Sequence, residues 1–129
     1  MLEITTTIQK KPRLNTQAFL EIKNSILGKN HEVSLAFIGS FRAKNLNIRH
    51  RDKDYVPNML TFTLDDNHTE IFICPDVAQK QHKDFSLSLS DYYVFLFIHG
   101  CLHSKGLLHG EDMDNQEEKY LLRYQKMYM

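Results

Sequence analysis

Hydrophobic and polar positions alternate at the start of the chain, and in the segment that follows the hydrophobic positions recur at helical spacing. Residues 2–8 alternate with a period of two and are rich in β-branched side chains, which is typical of a strand. Asn15 or Thr16 can then cap a helix that ends at Gly28. The apolar positions of this helix recur every three or four residues: Phe19, Leu20, Ile22, Ile26 and Leu27. The opening predicts a strand and a helix whose apolar face covers a sheet.

The next segment predicts a second strand and a short helix. Residues 33–38 are apolar and are followed by Gly39 and Ser40, which mark the end of a strand. Ser40 can cap a helix over residues 41–48. Its predicted shared face consists of Phe41, Asn45 and Ile48. Residues 49–56, RHRDKDYV, are basic and typical of a loop.

Two β-rich runs in the middle of the chain predict a hairpin. Residues 59–64, MLTFTL, and residues 69–74 are rich in β-branched and aromatic side chains. Asp65, Asp66 and Asn67 lie between them and are typical turn residues. A hairpin is the simplest connection between runs this close in sequence.

The rest of the chain predicts helices. Pro75 opens a short helical stretch, and a long helix runs from about Ser86 into a histidine-rich segment. A last helix runs from about Asp114, after acidic residues that suit a helix N-terminus. The apolar positions are Leu89, Tyr93, Leu96 and Phe97 in the long helix and Leu121, Tyr124 and Tyr128 in the last one. We expect an α+β fold, a small mixed four-stranded sheet covered by helices, with the histidines at the end of a central helix.

Length and composition limit the classes of protein to which this chain can belong. The 129 residues, 42% of them hydrophobic, fit a single domain spanning residues 1–129. Lys plus Arg and Asp plus Glu both number 16, so any RNA binding needs a local basic patch. No apolar run is long enough to span a bilayer, and the N-terminus lacks the pattern of a secretory leader. We expect a cytoplasmic, monomeric protein without a membrane partner.

The central feature of the sequence is the segment YYVFLFIHGCLHSKGLLHG, residues 92–110. His99 and His103 are four residues apart, so on a helix their imidazoles share one face. Gly106 can end the helix with a positive φ and let the chain bring His109 back over that face. By chance, this spacing is expected about 0.02 times in such a chain. We therefore predict a metal site with the ligands His99, His103 and His109.

The number of ligands favours a catalytic metal. Structural zinc sites have four protein ligands, whereas catalytic sites have three and keep a position open. We expect one Zn²⁺ per chain. Cys74 and Cys101 lack the spacing of a metal site and are predicted to be buried, reduced thiols. Four other histidines have no partner at ligand spacing and are predicted to lie on the surface: His31, His50, His68 and His82.

One familiar pattern with this spacing is the metalloprotease helix H-E-x-x-H-x-x-G-x-x-H. The chain matches its three ligands and its glycine, but Gly100 stands where those proteases have the glutamate that acts as the base. Peptide hydrolysis would need a base from elsewhere in the chain. A zinc metalloprotease-like hydrolase is therefore the alternative enzyme.

The segment more closely resembles the signature H-G-x-L-H-L-x-G-Y-D-H of the YbeY family of bacterial metal-dependent endoribonucleases. The matching positions are His99, Gly100, Leu102, His103, Gly106 and His109. Ser104, Leu107 and Leu108 replace the usual Leu, Tyr and Asp. The replaced Asp is a carboxylate of the kind that orients a metal-binding histidine.

A second segment resembles the same family. The sequence LNIRHRDKDYVPNMLTF follows the family order of a Leu-Asn pair, an arginine, a basic loop and a strand of the type T-[DN]-V-L-S-F. Arg51 falls at the family arginine, and Asn58, Leu60 and Phe62 match the strand. The resemblance covers most of residues 46–109. It implies a nuclease that acts on ribosomal RNA, above all that of the small subunit, in maturation and ribosome quality control with ribosomal partners.

The residue types suit RNA cleavage. Zinc polarises a phosphoryl oxygen and lowers the pKa of a coordinated water to about 7. The resemblance implies that Arg51, at the family arginine, is the catalytic residue, and a guanidinium can contact phosphate oxygens in a bidentate way. Arg49, Arg51 and Lys53 are the predicted nucleic-acid contacts, within a basic cluster that also contains Arg42, Lys44 and His50. The non-enzymatic alternative is an RNA-binding ribosome assembly factor with a structural metal.

Overall fold

The sheet is built from four strands. The computed structural model describes residues 1–8 and 12–125. Its strands are β1 (Leu2–Thr6), β2 (Glu32–Phe37), β3 (Met59–Asp65) and β4 (His68–Ile73). Their order in the sheet is β1-β2-β4-β3, in which β1, β2 and β4 are parallel and β3 pairs antiparallel with β4. The predicted mixed four-stranded sheet and its hairpin are confirmed.

Five α-helices accompany the sheet in the described part of the chain. They are α1 (Thr16–Leu27), α2 (Ser40–Arg51), α3 (Pro75–Gln81), α4 (Leu89–Lys105) and α5 (Glu111–Gln125), with a 3-10 turn at His82–Phe85. Asn15 caps α1 by accepting a hydrogen bond from the Ala18 amide at 3.2 Å, and Gly28 ends the helix with φ 97°. Both limits of α1 agree with the prediction.

Helix α4 is the centre of the core. Nine of its seventeen residues are buried, because α1 and α5 pack on it and it also contacts the sheet. Phe97 of α4 meets Phe19 of α1 with ring centroids 4.9 Å apart, and Tyr93 meets Phe37 of β2 at 5.3 Å. The hydrophobic contacts on three sides fix the helix that carries His99 and His103.

Helix α2 differs from the prediction in length and in its buried face. It continues to Arg51, and Asp52 ends it with φ 55°, a conformation that Asp tolerates better than most residues. Basic side chains in its last turn are favourable at the negative end of the helix dipole. The buried residues are Ala43 and Asn47, whereas Phe41 is 83% exposed. The predicted face was wrong: Ala43 belongs to a buried cluster that also contains Leu60 of β3 and Phe72 of β4.

The starts of the last two long helices are also corrected. Ser88 caps α4 by accepting from the Asp91 amide at 3.1 Å, and Ser86 instead ends the 3-10 turn with φ 56°. Helix α5 begins at Glu111, so the acidic residues form its first turn instead of preceding it. Tyr128, assigned to this helix from its spacing, lies outside the described residues.

No single helix of residues 1–8 and 12–125 is long and apolar enough to cross a membrane. Pro75–Phe85 and Leu89–Lys105 reach the required length and composition only as a pair bent by 101°.

Candidate metal centre

The end of α4 brings the three predicted ligands together. His99 and His103 lie one turn apart with ring centroids at 4.5 Å. Gly106 has φ 110°, and its amide donates to the His103 carbonyl, which ends the helix in a left-handed turn. The chain then returns, so that the His109 ring lies 5.2 Å from His99 and 4.7 Å from His103. One potential ligand atom from each histidine lies within 4.8 Å of the others.

The donor set fits a divalent metal ion. Burial lowers the pKa of His103, and the neighbouring His99 and His109 lower it further. A neutral imidazole has a free nitrogen lone pair, which is the form that binds metals. Three convergent imidazoles are the ligand set of a catalytic zinc site, although other divalent ions accept it as well. These three histidines can therefore hold a metal ion.

A carboxylate on α5 lies behind the first histidine. Oε2 of Glu117 is 2.6 Å from Nδ1 of His99, and Glu117 is only 7% exposed. Sequence reasoning missed this residue, because the only acids it considered in this region were those at the helix N-terminus, such as Glu111 and Asp112, which are exposed in the first turn of α5. The available signal was the spacing of Glu117 four residues from Met113 and three from Tyr120, on the apolar side of the helix.

The position after His99 faces the sheet. A Cβ added to Gly100 would lie 2.9 Å from both Ile71 Cδ1 and Met59 Cε and 3.0 Å from Thr61 Oγ1. Such separations require the neighbours to move. Gly100 therefore lets α4 approach β3 and β4 closely. A side chain at this position would therefore collide with residues of β3 and β4.

The three histidines open onto a cavity of about 610 Å³. It is also lined by the edge strand β3, by the end of α2 with Arg51, and by the segment between them. Nη2 of Arg51 donates to the Thr61 carbonyl oxygen at 2.7 Å, and its guanidinium carbon lies 5.6 Å from the centre of the Phe62 ring. The metal ligands and Arg51 thus line one cavity. Arg51 belongs to the last turn of α2, which corrects its predicted place in a loop.

A buried asparagine holds the segment that follows Arg51. Asn47 Nδ2 donates to the Tyr55 carbonyl oxygen at 3.1 Å, and the Lys53 amide donates to the Asn47 carbonyl oxygen at 3.3 Å. Lys53 and Tyr55 are exposed and line the cavity. Arg49 is exposed on α2 and is not among the lining residues. Of the three predicted nucleic-acid contacts, Arg51 and Lys53 therefore share the cavity with the histidines.

A row of hydroxyl groups connects the cavity with a buried histidine. Thr63 Oγ1 and Ser104 Oγ are 3.2 Å apart, Ser104 Oγ and Thr69 Oγ1 are 2.5 Å apart, and Thr69 Oγ1 lies 2.7 Å from His31 Nε2. His31 is 8% exposed, so its predicted place on the surface was wrong. His82 is half-buried and bonds the Leu87 carbonyl oxygen through Nδ1 at 2.7 Å. Both cysteines are buried and unpaired, as predicted.

Comparisons with known proteins show relatives that match most of the chain. A family model described as endoribonuclease YbeY matches residues 3–129. A protein named endoribonuclease YbeY from Finegoldia magna is 32% identical over 119 residues, 87% of this chain and 74% of that protein. One of the same name from Thermosipho melanesiensis is 30% identical over 116 residues, 84% of each chain.

The fold has a counterpart among solved structures. The solution structure of TM1509 from Thermotoga maritima superposes with a TM-score of 0.68 at 21% identity, over 99% of this chain and 91% of that one. This likeness supports the arrangement of strands and helices. The family match over nearly the whole chain and the identities of 30% and above establish the relationship. The chain belongs to the YbeY family of endoribonucleases.

Proposed function

We propose that this protein is a zinc-dependent endoribonuclease that cleaves single-stranded RNA in ribosomal RNA maturation, above all of the small-subunit RNA, and in ribosome quality control. The observation that supports this most is the single cavity shared by His99, His103, His109 and Arg51. The relatives named endoribonuclease YbeY indicate the same class of reaction. We further propose one domain over residues 1–129, working as a cytoplasmic monomer with the ribosome and its assembly factors.

His99, His103 and His109 hold the zinc ion in this proposal. When bound, zinc supplies a Lewis acid and lowers the pKa of a coordinated water to about 7. Arg51 is the catalytic residue of the chain: one guanidinium nitrogen is engaged by Thr61, and the remaining N–H groups contact the phosphate that reacts. The carbonyl of Thr61 keeps the guanidinium beside the histidines while RNA binds.

Lys53 and Arg49 contact the RNA backbone. Lys53 is on the cavity wall and meets phosphates close to the reacting one, whereas Arg49 meets phosphates outside the cavity. Tyr55 is 53% exposed and lines the same cavity, which suits stacking against an unpaired base. A base must be unstacked to reach such a side chain, so this wall favours single-stranded RNA.

The protease alternative is disfavoured by Gly100. The residue after the first ligand has no room for a side chain on the sheet side of α4, so the usual glutamate base has no counterpart at this position. Arg51 also donates a hydrogen bond to the Thr61 carbonyl oxygen of the edge strand β3. An extended peptide substrate that paired with β3 would need this carbonyl as a hydrogen-bond acceptor. The assembly-factor alternative is disfavoured by the ligand count, because structural zinc sites use four protein ligands.

An experiment separates the three functions. Purified protein is incubated with single-stranded RNA and with an unfolded protein substrate, each with and without chelator. The proposal predicts cleavage of RNA that the chelator stops and an intact protein substrate. Chelator-sensitive proteolysis with intact RNA would identify the protease. RNA binding with no cleavage, whichever metal ion is added, would identify the assembly factor.

A further inference from the structure

The inward side of α5 contains one charged residue in an apolar row. Met113 is fully buried, Tyr120 is 7% exposed and Tyr124 is 5% exposed, and all three belong to the main hydrophobic core. Glu117 lies on the same side, four residues after Met113, and is 7% exposed. A buried carboxylate without a partner is strongly unfavourable, so the sequence would not keep an acid here for packing alone.

The partner of Glu117 is a residue of the candidate metal centre. Its Oε2 lies 2.6 Å from Nδ1 of His99, a short distance typical of a charge-assisted hydrogen bond. The His99 ring lies between two other rings of α4. Its centroid is 6.3 Å from that of Phe95 and 4.5 Å from that of His103. The imidazole of His99 is thus fixed by α4 on one side and by α5 on the other.

We propose that Glu117 is the positioning residue of the metal centre, holding His99 so that Nε2 is the nitrogen presented to the ion. This role rests on the proposed metal-dependent function. The histidine donates its Nδ1 hydrogen to the carboxylate, which leaves the lone pair on Nε2. A carboxylate behind a ligand histidine also increases the basicity of the ring. Helix α5 thereby contributes to the site, although it provides none of the three proposed ligands.

A purely structural role is the competing explanation. In that case, Glu117 would only attach α5 to α4, and its removal would destabilise the metal-free fold without changing the metal affinity of molecules that remain folded. The two roles separate when metal affinity and metal-free stability are measured on the same variants. Glu118 provides a matched control, because it is the adjacent acid on α5 and is exposed.

The experiment uses Co²⁺, whose visible absorption reports its coordination. Metal-free parent, Glu117→Gln and Glu118→Gln are titrated with Co²⁺ in competition with a chelator, and metal-free unfolding is followed by circular dichroism. We expect Glu117→Gln to weaken Co²⁺ binding about 10- to 100-fold, the range for partners of ligand histidines, and to change the absorption spectrum. Glu118→Gln should bind like the parent, and the metal-free melting temperatures should stay close together.

Two results would overturn this role. One is an unchanged Co²⁺ affinity and spectrum in folded Glu117→Gln; the other is a lowered metal-free melting temperature with unchanged Co²⁺ affinity. Nitrogen NMR of the zinc-loaded parent gives a test that needs no variant: His99 should show zinc on Nε2 and hydrogen on Nδ1, and zinc on Nδ1 would contradict it. Failure of the parent to bind either metal would instead reject the metal centre itself.

Discussion

Arg51 donates a hydrogen bond from Nη2 to the carbonyl oxygen of Thr61 over 2.7 Å. Thr61 belongs to the edge strand β3 and Arg51 to the last turn of α2, and both line the cavity that contains the three histidines. The bond fixes one side of the guanidinium, and the Phe62 ring lies 5.6 Å from its carbon atom. The fixed position makes Arg51 suitable for stabilising charge that develops on a phosphate in the cavity.

Substitution of Arg51 should lower the rate of RNA cleavage more than RNA binding. Arg51→Ala should decrease the single-turnover rate at saturating RNA by roughly tenfold to a thousandfold, because the lost contact forms mainly in the transition state. Arg51→Lys should recover little of the rate, since an ammonium group lacks the planar guanidinium that can bond the Thr61 carbonyl and a phosphate at the same time. Metal content should be unchanged in both variants.

The control for Arg51 is another exposed arginine outside the cavity. Arg123 lies on α5 over the Tyr124 ring, so Arg123→Ala removes an equal charge and should leave the saturated rate near that of the parent. Lys53→Ala should instead weaken binding and reduce its salt dependence. A parent-like saturated rate in Arg51→Ala would reduce Arg51 to one contact of the basic cluster.

Removal of one histidine should abolish tight metal binding. His103→Ala leaves two imidazoles, and we expect zinc content after equilibrium dialysis to fall well below one ion per chain. His50→Ala is the matched control, because His50 is exposed on α2 and lies outside the three-histidine group. Retention of zinc by His103→Ala at the affinity of the parent would place the site elsewhere in the chain.

Introduction of the glutamate found in metalloproteases at position 100 should lower the stability of the fold and should not create a protease. Gly100→Glu forces a carboxylate between α4 and the sheet, where a Cβ at this position would already lie 2.9 Å from side-chain atoms of Ile71 and Met59. We expect a loss of more than about 3 kcal/mol in the free energy of unfolding, measured by urea denaturation. Gly100→Ala should cost less, because only side-chain ends must move. A stable Gly100→Glu variant that cleaves unfolded protein would show that this position faces the cavity.

Acid should destabilise the fold partly through His31. Burial lowers its pKa below the ordinary value of 6.5, and the nearby charges of Lys23 and His68 lower it further. The unfolded chain therefore takes up this proton at a higher pH than the folded chain, so stability falls as the pH decreases below 6.5 until the folded pKa is passed. Urea denaturation with chelator at about pH 7.5 and about pH 5.5, on either side of the unfolded pKa, should show a smaller loss in His31→Gln than in the parent. An equal loss in both proteins would exclude His31 as a contributor.

The parts of the fold set by local patterns were predictable. Strand alternation, the Asn15 cap and Gly28 define the opening elements, and the spacing of His99, His103 and Gly106 predicts the convergence of three imidazoles. Each of these signals lies within a few residues of the feature it determines. For this reason, one sequence was sufficient for the order of elements and for the candidate ligands.

The unpredicted features depend on contacts between distant parts of the chain. Glu117 is eighteen residues from His99, and His31 is thirty-eight residues from Thr69. Composition gives no indication of such pairs, because an isolated Glu or His is usually exposed. The length of α2 was missed for a different reason: Asp52 ends the helix in a left-handed conformation without a glycine, and the polar residues before it look like a loop.

We expect RNA cleavage to require a metal ion held by His99, His103 and His109. The most direct measurement is the single-turnover cleavage rate of single-stranded RNA by chelator-stripped protein as zinc is added back in known equivalents. We expect a negligible rate without zinc, a rise that levels off near one equivalent per chain, and no recovery in His103→Ala. An undiminished rate in the metal-free parent, or full recovery in His103→Ala, would contradict it.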